Sequence, residues 1–295
     1  MKALIFGASG QDGILLTELL KKNQIAVEGV SRSHGLLRGD VANFHFVKTI
    51  IQDLKPDYIF HFAANSVTSH NALFENHETI STGTLNILES AREHSPNAKI
   101  FISGSAMQFK NDGFPINEQT SFEAKSPYAI ARIQSSYASR YFRECFGMQI
   151  YNGYLFNHDS HFRSSNHLNQ KIISFVKKVQ NGTDQILDVG DIEVKKEFNY
   201  AGDIVDAIWT LMKQDNIFEV VIGSGQAYAI KDWIADCFNI IGKDWRQYIN
   251  TNADYMPEYK ILVSDPTLIK SLGWFPKTDF RELANIMTTN FIDGI

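Results

Sequence analysis

Tyr128 and Arg132 stand four residues apart in Ser126-Pro-Tyr-Ala-Ile-Ala-Arg132, so a helix beginning at Pro127 carries a phenol and a guanidinium on one face. A cation beside a phenol favours its phenolate, and a phenol so placed passes a proton to or from a neighbouring oxygen. Ser105, closing the segment Ser103-Gly-Ser105, offers a hydroxyl to hold that oxygen. Aromatic–basic pairs at this spacing are usually surface packing, so the trio takes its meaning from what precedes it. At the start of the chain stands Gly7-Ala-Ser-Gly10-Gln-Asp-Gly13, with the apolar run Ala3 to Phe6 before it and the helical pattern Leu15, Leu16, Leu19, Leu20 after it. A strand, a glycine turn and a helix start make a site for a dinucleotide pyrophosphate. The bare backbone approaches the phosphates, and the first N–H groups of the helix face them. Beside a nicotinamide, Tyr128 becomes the proton donor or acceptor, Ser105 holds the substrate oxygen, and Arg132 supports the phenolate and bonds the ribose.

The second strand, Ala26 to Val30, ends in Ser31-Arg32-Ser33. An acidic residue there would bond the ribose hydroxyls of NAD. An arginine between two serines suits a 2′-phosphate, so the expected cofactor is NADP(H).

The elements that must position these residues alternate. A third strand falls within Asp57 to Ala63, helical spacing covers Thr82 to Ala91, a fourth strand spans Lys99 to Ser103, and Gln149 to Leu155 reads as another. The expected fold is α/β, a Rossmann-type doubly wound parallel sheet with a smaller C-terminal lobe. Residues 1–156 form the NADP-binding domain, with later returns to it, and 157–295 form mainly the substrate-binding lobe. In that lobe the pattern gives a helix over Leu168 to Val179, a strand pair around Ile186 to Phe198, and helices near Asp203 to Met212 and Ile230 to Ile241. Trp233 and Phe238 read as core of the last helix.

With 295 residues, 44% of them hydrophobic, the chain can bury a large core. A net charge of −5 offers no basic field, which argues against nucleic acid or an anionic membrane as partner. No run of about 18 apolar residues suggests a membrane span. Cys145 and Cys237 are expected reduced in apolar surroundings, as in a cytoplasmic protein. Tyr141 and Phe142 read as buried helix packing. His158, His161 and His167 cluster in a polar stretch without cysteine or carboxylate spacing, so no metal site is expected.

Several longer segments carry a resemblance: the glycine turn, Lys55-Pro-Asp-Tyr-Ile-Phe-His-Phe-Ala-Ala64, Ser126-Pro-Tyr-Ala129, Leu155-Phe-Asn-His-Asp-Ser160, and Ser264-Asp-Pro-Thr with Leu272-Gly-Trp274. Together they resemble the extended short-chain dehydrogenase/reductase family that works on nucleotide sugars, most of all its GDP-mannose 4,6-dehydratases and the related GDP-4-keto-6-deoxy-mannose reductases. The resemblance implies NADP, a GDP-linked hexose as substrate, and a homo-oligomer, dimer or tetramer. It implies cofactor contacts from Gln11, Asp12, Asp40, Val41, Ala63 and Ala64 beside the residues above, and substrate contacts from Asn157, Arg163, Lys171 and Lys196. It also shows departures. Met107 stands where these dehydratases carry a glutamate, Arg132 replaces the usual lysine, and the phosphate-gripping arginines become Lys196 and Tyr255 or Met256. Dehydration needs an acid/base group that methionine lacks. Glu118, Glu123 and Asp112 are acids of the intervening loop that would have to substitute. The expected reaction is therefore hydride transfer at C4, a 4-keto reduction or its reverse. The alternatives are 4,6-dehydration and an NADP-binding sensor or scaffold without turnover.

Overall fold

The first strand, β1 (Lys2–Phe6), buries its last four residues on two faces. Leu4 and Phe6 point to one layer of helices, Ala3 and Ile5 to the other. That is the pattern of a strand covered on both sides, and it recurs through a computed structural model that describes residues 1–32, 37–252 and 255–293. The sheet is completed by β2 (Ala26–Ser31), β3 (Leu37–Arg38), β4 (Tyr58–His61), β5 (Lys99–Ser105), β6 (Ile150–Leu155) and β7 (Glu219–Ile222). All pairs are parallel, in the order β7-β6-β5-β4-β1-β2-β3. The chain runs outward from β1 to β3 and then restarts at β4 on the other side of β1. This reversal opens a crevice at the carboxyl ends of β1 and β4, where the glycine turn lies.

Helices α1 (Gln11–Lys22), α2 (Phe44–Leu54), α3 (Gly83–His94), α4 (Pro127–Phe146), α5 (Leu168–Gln180), α6 (Ala201–Met212), α7 (Ile230–Ile240) and α8 (Phe280–Asp293) supply the layers. Leu16 and Leu20 of α1 meet Ile204, Ile208 and Leu211 of α6 on one face of the sheet. Val47, Ile51, Ile87 and Leu88 of α2 and α3 cover the other. Helix α4 starts where the sequence says it should. Pro127 is its first residue, the Ser126 hydroxyl accepts from the Ala129 N–H at 3.1 Å, and Gly147, at φ +67°, ends it. A separate core of Ile172, Val176, Trp233, Phe238, Phe280 and Leu283 holds α5, α7 and α8 together. Among the described residues no helix is long and apolar enough to cross a membrane.

Some expectations need correction. Leu187–Val189 and Lys195–Glu197 do not pair with each other. The first joins Ile249–Thr251, the second Ala227–Ala229 and Ile261–Leu262, because short strands find edges supplied from far along the chain. Cys237 is buried, but Cys145 is exposed, and so is Tyr141. These last two lie four residues apart on the outer face of α4, while Phe142 takes the inward position.

Glu219, at the start of β7, accepts from Arg140 at 2.9 and 2.7 Å, from the Tyr154 hydroxyl at 2.6 Å, and from Arg143. Burial opposes its ionisation, but Arg140, Tyr154 and Arg143 outweigh it and bring the pKa from 4.5 down to about 2. A depressed folded-state pKa gives stability that is complete above the unfolded value and is lost as pH falls through the folded one. We expect acid to remove of order 3 kcal/mol through this group between pH 4.5 and 2. Denaturant titrations in that window should show a flatter pH dependence for Glu219→Gln than for the parent.

Candidate active site

The crevice begins with backbone. Gly7 has φ +87°, and a Cβ there would stand 2.6 Å from the Ala63 N. A Cβ on Gly13 would meet the Gly7 carbonyl at 2.4 Å, so the turn closes only with glycine at both positions. Gly10 caps α1 without a side chain, which leaves the first N–H groups of the helix directed to the crevice. Two adjoining cavities share Gly7, Ser9, Gly10, Phe62 and Ala64. The smaller, about 230 Å³, brings together Ser31, Arg32, Asp40, Val41 and Ala63 with that shared set. The larger, about 490 Å³, adds Gln11, Asp12, Gly13, Ser105, Tyr128, Arg132, Asn157 and Arg163. An elongated path past a glycine turn and an uncapped helix start fits a dinucleotide. Arg32 is paired with Glu75 at 3.2 Å, and Glu75 also accepts from Asn65 at 2.7 Å. Ser33 lies outside the described residues.

Ser105, Tyr128 and Arg132 come from β5 and α4 and meet in the larger cavity. The Ser105 Oγ accepts from the Met107 N–H at 3.2 Å, which leaves its own proton to donate. The Gln108 side chain accepts from the Ser105 N–H at 2.9 Å and donates to the Ser136 Oγ at 3.0 Å, tying this turn to α4. Tyr128 is 8% exposed, and its hydroxyl has no protein partner among the described residues. The Arg132 guanidinium sits 5.1 Å from the Tyr128 ring centroid and donates to the Ser103 carbonyl and, at 2.8 Å, to its Oγ. It is buried and makes no ion pair with a carboxylate among the described residues. Nearby His61 is fully buried; burial first, and then the Arg132 charge, push its pKa to about 3. The imidazole is therefore neutral, and a single unneutralised cation lies beneath the phenol.

On the opposite wall the His158 Nε2 lies 3.0 Å from Asp12, while its Nδ1 donates to the Phe156 carbonyl at 2.7 Å. Burial disfavours both charges, yet the pair offsets it, raising the His158 pKa and lowering that of Asp12. Gln11 accepts from the Ser160 hydroxyl at 3.0 Å, so two side chains of the glycine turn clasp the segment that enters the C-terminal lobe. Arg163 approaches Asp159 at 3.4 Å; Asp159 accepts from Asn169 at 2.5 Å, and Asn169 from Lys196 at 3.2 Å. Arg163 thus meets the Asp159 carboxylate directly while Lys196 is linked to it through Asn169, and burial lowers the Lys196 pKa. Lys196 stands behind Asn169, outside the cavity lining, and Lys171 is exposed on α5, outside it as well.

None of the three loop acids reaches the reaction cavity. Glu118 accepts from the Val221 N–H at 2.7 Å, Glu123 pairs with Lys125 at 2.7 Å, and Asp112 pairs with Lys110 at 2.7 Å. Met107 does line it, and so does a carboxylate that the sequence reading missed. Glu258, on the segment after Met256, accepts from the Thr68 hydroxyl at 2.6 Å and faces the same cavity. Nothing local marks Glu258; only the fold brings a residue 190 positions from Thr68 against it.

Comparison with known proteins agrees with this geometry. The family model described as GDP-mannose 4,6 dehydratase matches residues 4–287. GDP-mannose 4,6 dehydratase 1 of Arabidopsis thaliana is 26% identical over 317 residues, covering 97% of this chain and 88% of the relative. The human GDP-mannose 4,6 dehydratase is 26% identical over 333 residues, covering 97% and 90%. In fold, the chain superposes on RMD from Pseudomonas aeruginosa complexed with NADPH with a TM-score of 0.86, at 17% identity and 100% and 98% coverage. It also superposes on a UDP-glucose 4-epimerase of Thermotoga maritima with UDP-glucose, with a TM-score of 0.87 at 20% identity and 100% and 99% coverage. The named relatives favour the dehydratase over the reductase as the family's reaction. With the doubly wound sheet, the glycine-turn crevice and a match over nearly the whole chain, this protein belongs to the GDP-mannose 4,6-dehydratase family of nucleotide-sugar enzymes.

Proposed function

We propose that the protein transfers hydride at C4 of a GDP-linked hexose, using NADP(H) bound along the glycine-turn crevice. The cofactor, when bound, supplies or accepts the hydride. The chain's own residues do the rest. Tyr128 moves a proton at the C4 oxygen, the Ser105 hydroxyl donates to that oxygen, and the Arg132 guanidinium lies against the phenol ring and holds it in place. Arg163 supplies positive charge toward a substrate phosphate from the cavity wall. The observation that carries a reaction ending at C4 is Met107, lining the cavity on the turn capped by Ser105 where the resemblance implies a glutamate. The second reading is full 4,6-dehydration. It is favoured by the named relatives and by Glu258, a carboxylate in the same cavity without a basic partner among the described residues. Exposed Ile130, Tyr137 and Tyr141 along α4 support assembly with a second copy of the chain.

Incubation with GDP-mannose and NADP⁺, and separately with its 4-keto-6-deoxy product and NADPH, decides between the two by mass spectrometry. A gain of two hydrogens by the keto sugar supports hydride transfer, and loss of one water from GDP-mannose overturns it. For the cofactor, Arg32→Ala should reduce the preference for NADP(H) over NAD(H) by ten- to a hundredfold, about what charge-assisted bonds to one phosphate contribute. Unchanged relative affinities in fluorescence titrations would reassign the 2′-phosphate contact.

A further inference from the structure

Arg32 reaches the cofactor crevice already engaged. It lines the smaller cavity beside Ser31 and Asp40, and its Nη2 donates to the Glu75 Oε1 at 3.2 Å. Glu75 sits on the short helix Leu73–Asn76, beyond the loop that leaves β4. Its carboxylate is held in place from two sides. The second oxygen, Oε2, accepts from the Asn65 amide at 2.7 Å, and Asn65 directly follows Ala64, which lines both cavities. The next residue, Asn76, is fully buried and donates to the Val67 carbonyl at 2.8 Å, which pins the helix to the same loop. Among the described residues Glu75 pairs with no other cation, and Arg32 with no other carboxylate. A carboxylate is thereby fixed against the one side chain placed to read a 2′-phosphate.

We propose that Glu75 sets the cofactor selectivity of the protein by competing with the cofactor's 2′-phosphate for Arg32. The inference rests on the reading of Arg32 and NADP(H) above. A carboxylate and a phosphate monoester offer a guanidinium the same kind of partner, oxygen acceptors that carry negative charge. Glu75 engages one guanidinium nitrogen through one oxygen, whereas a phosphate takes two nitrogens in parallel and carries more charge. The phosphate therefore wins. Its binding still ends the Arg32–Glu75 contact and leaves one anion beside another. NAD(H), with a hydroxyl at that position, leaves the pair intact. Glu75 thus weakens NADP(H) alone and narrows the gap between the two cofactors. Both side chains are half-exposed, so the effect is that of a solvent-exposed ion pair, a few-fold change and not orders of magnitude.

The test is a double-mutant cycle read by fluorescence titration with NADPH and with NADH. Glu75→Gln removes the charge and keeps an acceptor for Asn65. It should tighten NADPH binding about two- to fivefold and leave NADH affinity unchanged. In the Arg32→Ala background the same substitution should change neither affinity, because the side chain competed for is gone. Unchanged or weaker NADPH binding by Glu75→Gln overturns the competition. An equal gain for NADH overturns it too, since the carboxylate then acts only as a general charge at the crevice. So does a gain that survives Arg32→Ala, which assigns the effect to another cation, and so does weaker NADH binding, which means that Glu75 bonds the ribose itself. Arg32→Ala alone separates the two levels. If it leaves the ratio of NADPH to NADH affinity unaltered, the 2′-phosphate reading falls; if it lowers that ratio while Glu75→Gln does nothing, only the role of Glu75 falls.

Discussion

Tyr128→Phe is expected to slow NADPH oxidation by a keto nucleotide sugar by a factor of 10² to 10⁴, with cofactor affinity unchanged. The variant isolates the proton. Phenylalanine keeps the ring over Arg132 and the packing of a residue that is 8% exposed, and removes only a hydroxyl that no protein group occupies. Stopped-flow absorbance reads the hydride step, and a fluorescence titration reads cofactor binding. If oxidation continues at the parent rate, Tyr128 does not carry the proton. If the parent shows no oxidation with any nucleotide sugar while binding NADPH, the fold serves as a sensor or scaffold.

Glu197→Gln should cost about 3–5 kcal/mol of stability, the largest effect we expect from a residue outside the cavity. Its carboxylate is fully buried and accepts from the Ser264 N–H and hydroxyl at 2.6 and 2.5 Å, the Ser224 N–H at 2.7 Å, the Asn199 amide at 3.0 Å and the Gly225 N–H at 3.2 Å. No cation is paired with it among the described residues. These donors come from segments far apart in sequence, and one anion holds them at a common point. Gly223 passes so close that a Cβ would stand 2.4 Å from the carboxylate. An amide offers one acceptor in place of two and turns its own protons toward N–H donors. Urea unfolding gives the number, and a loss under about 1 kcal/mol would show that the donors find other acceptors.

What the sequence makes legible is what local spacing encodes. β1, β4, β5 and β6 are short apolar runs bounded by turns, the cap at Ser126-Pro127 is written in two residues, and the glycine turn needs its neighbours only to confirm it. Ser105, Tyr128 and Arg132 were placed together because a strand end and a helix start suffice to say where they go. The remainder depends on distant partners. β7 is only Glu-Val-Val-Ile, too short to stand out, and becomes a strand because β6 has an open edge. Glu258 reaches the cavity through contacts with the first half of the chain, and Glu75 meets Arg32 across 43 positions. Lys171 shows the converse, since a helix position suggested by resemblance faces solvent once α5 packs.

The late arrival of β7 sets a condition on synthesis and on engineering. All six residues of β6 are buried, and its outer edge is closed only by a strand made more than sixty residues later. Until residue 222 has emerged, a nascent chain presents that edge as a row of unpaired amides and carbonyls flanked by apolar side chains, a template for intermolecular pairing. A fragment cut at residue 156 would retain every glycine of the turn and still lack a closed sheet. A split protein or fusion built from this fold therefore keeps its solubility only if the break lies beyond 222.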